Sequence, residues 1–82
     1  MPKVLLSGSA AQRYTGGKTD LEVSATTFRR LVAELENRFP GLGKQVEESM
    51  ALAIDGEIFQ DAYSAKFGPE NEVVLIPKIG GG

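Results

Sequence analysis

The sequence predicts an α+β fold, in which a mixed β-sheet carries one main helix packed on one face. Three observations predict it. The first and last apolar runs, at residues 4–6 and 73–76, have the length and composition of buried strands. Residues 28–39 repeat apolar side chains at helical spacing. Asp55-Gly56 separates two short apolar runs and predicts a hairpin, because a type I′ turn needs positive φ at both central residues.

The first half of the chain predicts a strand pair followed by the main helix. Residues 10–17 lack periodicity and end in a glycine turn, and residues 18–23 alternate polar and apolar as in a half-buried strand. We expect the first two strands to form a hairpin with a long loop. The helix is predicted to be capped by Thr26, with Ser24 as the alternative, and to end at Pro40. Its apolar stripe consists of Phe28, Leu31, Val32, Leu35 and Phe39.

The second half predicts three strands. Residues 42–50 fit either a loop or a short helical turn, and residues 51–54 and 57–59 are predicted as the arms of the hairpin. Residues 73–76 do not alternate, which predicts a central strand buried on both faces, and Pro77 is expected to end its pairing.

This element order is that of the β-grasp, or ubiquitin-like, fold, with the first and last strands parallel at the centre of the sheet. One helix covers one face, so we expect apolar side chains on the other face to be available to a partner. The predicted domain covers residues 1–76, and residues 77–82 form a flexible tail.

The composition excludes several function classes. The 82 residues include no Cys and no His, which removes thiolate chemistry, the commonest general base and the commonest metal ligands. Nine basic residues against eleven acidic ones give no basic surface for nucleic acid. No apolar run is long enough for a signal peptide or a membrane span. We expect a cytoplasmic protein that is not an enzyme by itself, with no metal, nucleic-acid or membrane site.

Three further local features each have an ordinary structural interpretation available. Gly17-Lys18-Thr19 ends like a phosphate-binding loop, but Gln12 stands where that motif needs its first glycine, and a strand follows, so we interpret it as a turn. Phe59 fits either the core or a partner contact. The acidic residues of the second half lack a fixed spacing and are expected to be solvated; they are Glu47, Glu48, Asp55, Glu57 and Asp61.

The chain ends in three glycines, directly after the last strand and Pro77. A frayed terminus or an expression remnant would account for them. A glycine end also has a physical use, because residues without side chains can enter a narrow channel. Extended from Pro77, the tail reaches roughly 20 Å. The group delivered there is the terminal carboxylate of Gly82.

The tail, residues 72–82, resembles the ending of the MoaD/ThiS sulfur carriers: an acidic residue, an apolar strand, Pro, two positions, a small residue and Gly-Gly. Gly80 stands where Ala is usual. Residues 13–17, 25–42 and 54–57 resemble the family's loop before the second strand, its helix with the closing Phe-Pro-Gly, and its Val-Asn-Gly hairpin. The resemblance covers nearly the whole chain.

The resemblance implies that an ATP-dependent activating enzyme of the MoeB/ThiF type adenylates Gly82, which then becomes a thiocarboxylate. ATP would be used by that partner, and no cofactor would be bound permanently. The tail and the helix end favour a role as the small subunit of molybdopterin synthase, whose sulfur-accepting partner would be a MoaE-like large subunit. We expect the protein to be a monomer when it is free. The CysO branch, serving cysteine synthesis, and the ThiS branch, serving thiamin, are the alternatives.

The resemblance also implies that the tail and the uncovered sheet face dock on the partners. Two other function classes remain open: a ubiquitin-like modifier that forms isopeptides with lysine, and an interaction domain with an inert tail. Ordinary core packing is the alternative role for the two isoleucines of the sheet. The expected partner-binding residues are Ile58, Ile76, Pro77, Ile79, Gly80 and Gly81.

Overall fold

The structure, a computed structural model, describes residues 2–6, 8–59, 63 and 65–77, without the side chains of Ser9 and Ala10. No helix within these ranges is long and apolar enough to cross a membrane. The elements, in chain order, are β1 (Lys3–Leu6), α1 (Gly8–Tyr14), β2 (Asp20–Glu22), α2 (Phe28–Arg38), α3 (Leu42–Ser49), β3 (Met50–Ile54), β4 (Glu57–Phe59) and β5 (Glu72–Pro77).

The strands form one five-stranded mixed sheet in the order β2-β1-β5-β3-β4. The predicted parallel pairing of the first and last strands is confirmed, with Val4 opposite Val73, and the other neighbours are antiparallel. Helix α2 buries its apolar stripe in the same core as the inward side chains of the sheet. The largest fully buried core residues are Leu21, Leu31, Leu35, Leu42, Leu52, Leu75, Val4, Val23, Val46 and Val73.

The connection between β1 and β2 differs from the expected loop, because residues 8–14 form helix α1. The strands still pair as antiparallel neighbours, with Val4 opposite Leu21. Ala11 is fully buried and Tyr14 packs against the core. Two core-facing residues in a seven-residue helix leave too little periodicity to detect. The turn that follows is as predicted, with positive φ at Gly16 and Gly17.

Helix α2 begins one residue later than predicted. Its N-cap is Thr27, whose side chain accepts a hydrogen bond from the Arg30 amide at 3.3 Å. The carbonyl of an N-cap residue accepts the first hydrogen bond of the helix. The Thr26 carbonyl instead accepts from the Phe67 amide at 2.8 Å, next to the bridge between residues 27 and 66, so Thr26 is not the cap. The helix ends at Arg38, before Pro40, as the sequence predicts.

Helix α3 occupies residues 42–49, where the sequence left a loop and a short helical turn open. It packs very closely on α2. A Cβ added at Gly43 would lie 2.4 Å from the Val32 carbonyl oxygen and 2.6 Å from Glu36 Cβ. Only glycine fits this approach, so Gly43 serves the contact between the two helices.

The Glu36 side chain joins the two helices. Its carboxylate accepts hydrogen bonds from the amides of Gly41, at 2.9 Å, and Lys44, at 3.1 Å, which are unpaired donors at the start of α3. These amide bonds lower the pKa of Glu36 from its ordinary 4.5, since they favour the charged form. α2 thus supplies the N-terminal cap of α3.

The hairpin between β3 and β4 is as predicted, with φ of +51° at Asp55 and +85° at Gly56. Strand β5 differs from the expected burial on both faces: Val73 and Leu75 are buried, whereas Val74 and Ile76 are half-buried. Pairing also extends to Pro77, which lies opposite Met50. The long apolar run therefore reflects a core face and a second, partly exposed apolar face.

We predict that Gly43→Ala destabilises the protein by about 1–3 kcal/mol, because the added methyl group overlaps backbone atoms of α2. Urea denaturation measures the loss. Gly8→Ala is the matched control, since its Cβ would meet no atom within 4 Å. Equal stability of the two variants would contradict the close packing of α2 and α3.

We predict that Glu36→Gln weakens the pH dependence of folding. A carboxyl group whose pKa is lowered in the folded state stabilises the protein above its unfolded pKa, and this stability is lost as pH falls below about 4.5. Urea midpoints measured between about pH 3 and pH 7 test this. The control Glu48→Gln removes an exposed carboxylate from α3 and should keep the wild-type profile. If the two variants share one profile, the capping role is wrong.

Candidate functional site

The last described strand lies at the centre of the sheet. Strand β5 lies between β1 and β3, and Pro77, its last residue, is exposed. The positions expected to carry the chemistry follow directly and lie outside the described residues, so their roles stay predictions. They are Ile79, Gly80, Gly81 and Gly82.

The sheet has a core face and an open face. Met50, Leu52 and Ile54 belong to the core cluster, to which all three described helices contribute side chains, whereas Ala51 and Ala53 do not. Because side chains alternate along a strand, β1 and β5 divide in the same way. We define the open face by its apolar residues: Leu5, Ala51, Ala53, Ile58, Val74 and Ile76.

The open face contains a continuous apolar row across four strands. Leu5 lies opposite Val74, Val74 opposite Ala53, and Ala53 opposite Ile58. Directly opposed residues on neighbouring strands place their side chains on the same face, in contact. Ile76 and Ala51 form the next row toward the chain exit. The apolar surface is therefore continuous with the point where the tail begins.

The two alanines of β3 in these rows are less exposed than the isoleucine at the sheet edge. Ala51 and Ala53 are each 8% exposed, whereas Ile58 at the sheet edge is 54% exposed. A surface with alanines at the centre and a projecting isoleucine at the edge is shallow and uneven. Such a surface can seat an apolar side chain of a partner.

The structure brings two of the expected partner-binding residues to one surface. Ile58 and Ile76 lie on the open face on β4 and β5, with β3 between them, so their strands are roughly 10 Å apart. Sequence reasoning missed Leu5 and Val74, because both stand in runs interpreted as wholly buried. The small–large alternation Ala51-Leu52-Ala53 was the available signal, since it marks a strand with two different faces.

The remaining candidates have structural roles. Phe59, left open between core and partner contact, is half-buried and packs against the core. Lys18 and Thr19 precede strand β2, which supports the turn interpretation of that segment. Glu47 accepts a hydrogen bond from the Tyr63 hydroxyl. Within the described ranges, no group of three acidic side chains could hold a metal ion, and Asp61 lies outside them.

Asp55, expected to be a turn residue with a solvated carboxylate, also has a structural role. Its carboxylate accepts hydrogen bonds from the Glu72 amide, at 2.8 Å, and from Asn71 Nδ2, at 2.6 Å. These bonds lower the pKa of Asp55, the Glu72 amide being the larger cause. The carboxylate fixes the start of β5 to the hairpin, and so helps to place the strand that carries the tail.

The five-stranded mixed sheet, its parallel central pair and its helices define a ubiquitin-like β-grasp protein. Residues 4–82 match the model of the ThiS family, and the chain belongs to this family. It is accordingly a small sulfur carrier of the ThiS type. No curated protein matches the chain.

Two solved structures share this fold. The crystal structure of Mycobacterium tuberculosis CysO, described as an antigen, aligns with a TM-score of 0.79 at 14% identity, covering 96% of this chain and 100% of that one. A chain of the Amycolatopsis orientalis BexX/CysO complex also aligns with a TM-score of 0.79, at 19% identity, covering 100% of both chains.

We predict that Ile58→Ala changes the free energy of unfolding by about 1 kcal/mol or less, because Ile58 is half exposed on the open face. Leu52→Ala on the core face of neighbouring β3 is the comparison and should cost about 2–5 kcal/mol. Thermal and urea unfolding of both variants measure the difference. A loss at Ile58 as large as that at Leu52 would mean that Ile58 is a core residue.

Proposed function

We propose that the carboxylate of Gly82 is adenylated and converted to a thiocarboxylate that donates its sulfur inside a second enzyme. The observation that carries the proposal is the position of β5. In sequence the tail follows the last residue of this central strand, Pro77, and Ile76 at that end of the strand belongs to the apolar open face. Family membership supports the same chemistry.

The proposed activation proceeds in two substitutions. One carboxylate oxygen of Gly82 attacks the α-phosphorus of ATP, and pyrophosphate leaves. A sulfur nucleophile, sulfide or the outer sulfur of a persulfide, then attacks the acyl carbon, and AMP leaves with the electron pair of the broken C–O bond. With a persulfide donor, a thiol reductant cleaves the S–S bond and releases the thiocarboxylate. ATP is bound by the activating enzyme, of the MoeB/ThiF type.

The described residues support a division of labour between tail and domain. Pro77 lacks an amide hydrogen and stands where the ladder with β3 ends, which favours release of the following residues from the sheet. The tail then extends into the partner, and its glycines pass where side chains would clash. Ile76 and Ile58 hold the domain against the partner beside the channel entrance.

The acceptor that we propose first is the molybdopterin precursor, with this chain as the small subunit of molybdopterin synthase and a MoaE-like large subunit. The Pro-x-x-small-Gly-Gly ending from Pro77 and the Phe-Pro-Gly helix end at residues 39–41 support it. A carrier for cysteine synthesis is the second candidate. The likeness to CysO and to a chain of a BexX/CysO complex favours that candidate.

We expect incubation with the ThiF/MoeB-type enzyme of the same organism, ATP and sulfide to replace one oxygen of Gly82 by sulfur. Intact-mass measurement and fragmentation of the C-terminal peptide detect and locate the exchange. Removal of Gly81 and Gly82 should abolish it while leaving the unfolding midpoint unchanged, because the described strands end at Pro77. Absence of exchange with every such enzyme of the organism would contradict the proposal.

The loaded protein then distinguishes the acceptors. Supplied to a MoaE-type subunit and the pterin precursor, two equivalents of loaded protein should each donate one sulfur, yield one dithiolene product and return to the carboxylate form. Supplied to a cysteine-synthase-type enzyme with an activated serine, a carrier of the CysO type would instead give a cysteinyl adduct. Isopeptide conjugates to lysine, found when activated protein is added to a cell extract, would identify a modifier.

A further inference from the structure

The open face is bordered by carboxylates, and their positions follow from the strand register. On the edge strand β2, Leu21 is buried in the core, so Asp20 and Glu22 point to the opposite side of the sheet. Asp20 lies opposite Leu5 and extends the apolar row. Glu22 lies opposite Lys3, on the same face.

A third carboxylate borders the row on the central strand. Glu72 is exposed, lies opposite Lys3 and stands two residues before Val74 on the same face. Residues two apart on a strand are about 7 Å apart, so Glu72 reaches the border of the apolar row. We call Asp20, Glu22 and Glu72 the acidic border.

The one cation described on this face does not neutralise the border. Lys3 lies between Glu22 and Glu72 in the register, but no ion pair joins it to either carboxylate in the described structure. Arg38 donates to the Glu22 carbonyl oxygen, not to its carboxylate, and pairs with Glu34. Among the described residues of this face, three carboxylates stand against one ammonium group, which gives the border a negative charge.

We propose that the acidic border sets the rate and register with which the open face docks, on a partner surface whose apolar centre is edged by Arg or Lys side chains. This rests on the proposed function, whose activating enzyme is the partner meant. Two further occupants are disfavoured by the same charges. A second copy of this face would oppose carboxylates to carboxylates, and nucleic acid would be repelled.

The acidic border is placed to steer rather than to anchor. Its carboxylates are exposed, so each contributes little to affinity once the complex has formed. Charges at the border of an interface act mainly on the association rate, and salt screens that effect. The apolar row supplies the buried centre, which governs dissociation.

The experiment measures association of the full-length protein with the immobilised ThiF/MoeB-type enzyme of the same organism, at low salt and at about 0.5 M salt. The border variant Asp20→Asn with Glu72→Gln should associate roughly five- to tenfold more slowly at low salt and lose most of the salt dependence. Its dissociation rate should change little.

The control Glu48→Gln with Glu57→Gln makes the same change in net charge away from the open face. Glu48 lies on α3, and Glu57 lies opposite the core residue Ile54. This variant should associate like the wild type. Equal slowing by both variants would show that net charge acts and would overturn the assignment of the border.

A variant that should associate faster than the wild type tests whether misfolding explains slow association of the border variant, because misfolding would not accelerate association. Lys3→Gln removes the positive charge between Glu22 and Glu72 and should accelerate association at low salt. Slower association of this variant would show that the partner surface is acidic, which would overturn the proposal.

The two proposals can fail separately. If the wild type is converted to the thiocarboxylate and the border variant associates normally, the docking proposal is wrong and the sulfur-carrier chemistry stands. If the wild type associates with a border-dependent rate but is never adenylated, the docking proposal stands and the proposed chemistry is wrong. Absence of any association overturns the docking proposal.

Discussion

The parallel pairing of β1 with β5 is the constraint on which the arrangement of the molecule depends. It joins Lys3 to Glu72, almost the full length of the chain apart, and places the last strand between β1 and β3. A strand with partners on both sides is held along its length by ladder hydrogen bonds. The pairing of β5 with both neighbours therefore fixes the position of Pro77 relative to the open face.

The two faces of the sheet differ in how much they contribute to the core. The core face carries the leucines and valines that are fully buried, while the open face carries alanines, half-buried aliphatic residues and a projecting isoleucine. A chain of 82 residues buries a small core, so each large apolar side chain placed on the open face is one fewer in the core that stabilises the fold. Ala51 and Ala53 fill the centre of the open face with small side chains, so little apolar area is used there instead of in the core.

The regular parts of this fold could be predicted because local pattern and tertiary role agree there. The stripe of α2 and the Asp55-Gly56 turn are examples. Helix α1 lacks such agreement, since seven residues with two core contacts hold little periodic signal. In α3 the local signal opposes the fold: Gly43 lowers helix propensity, yet only glycine fits against the Val32 carbonyl. The cap at Thr27 depends on a bridge to residue 66 that no local pattern shows.

The sequence predicted Ile58 and Ile76 for the candidate site but not Leu5 and Val74, because partly exposed apolar residues of a strand look like core residues in sequence. Val74 and Ile76 raise the apolar content of β5 and suggest burial on both sides, although half of their surroundings is open. What distinguishes them is tertiary: all described helices contribute to one face. At its start, β5 is fixed by the Asp55 carboxylate, and at its end by pairing with Met50. These two attachments hold both ends of the central strand, so the position of Pro77 relative to the open face is set by the fold.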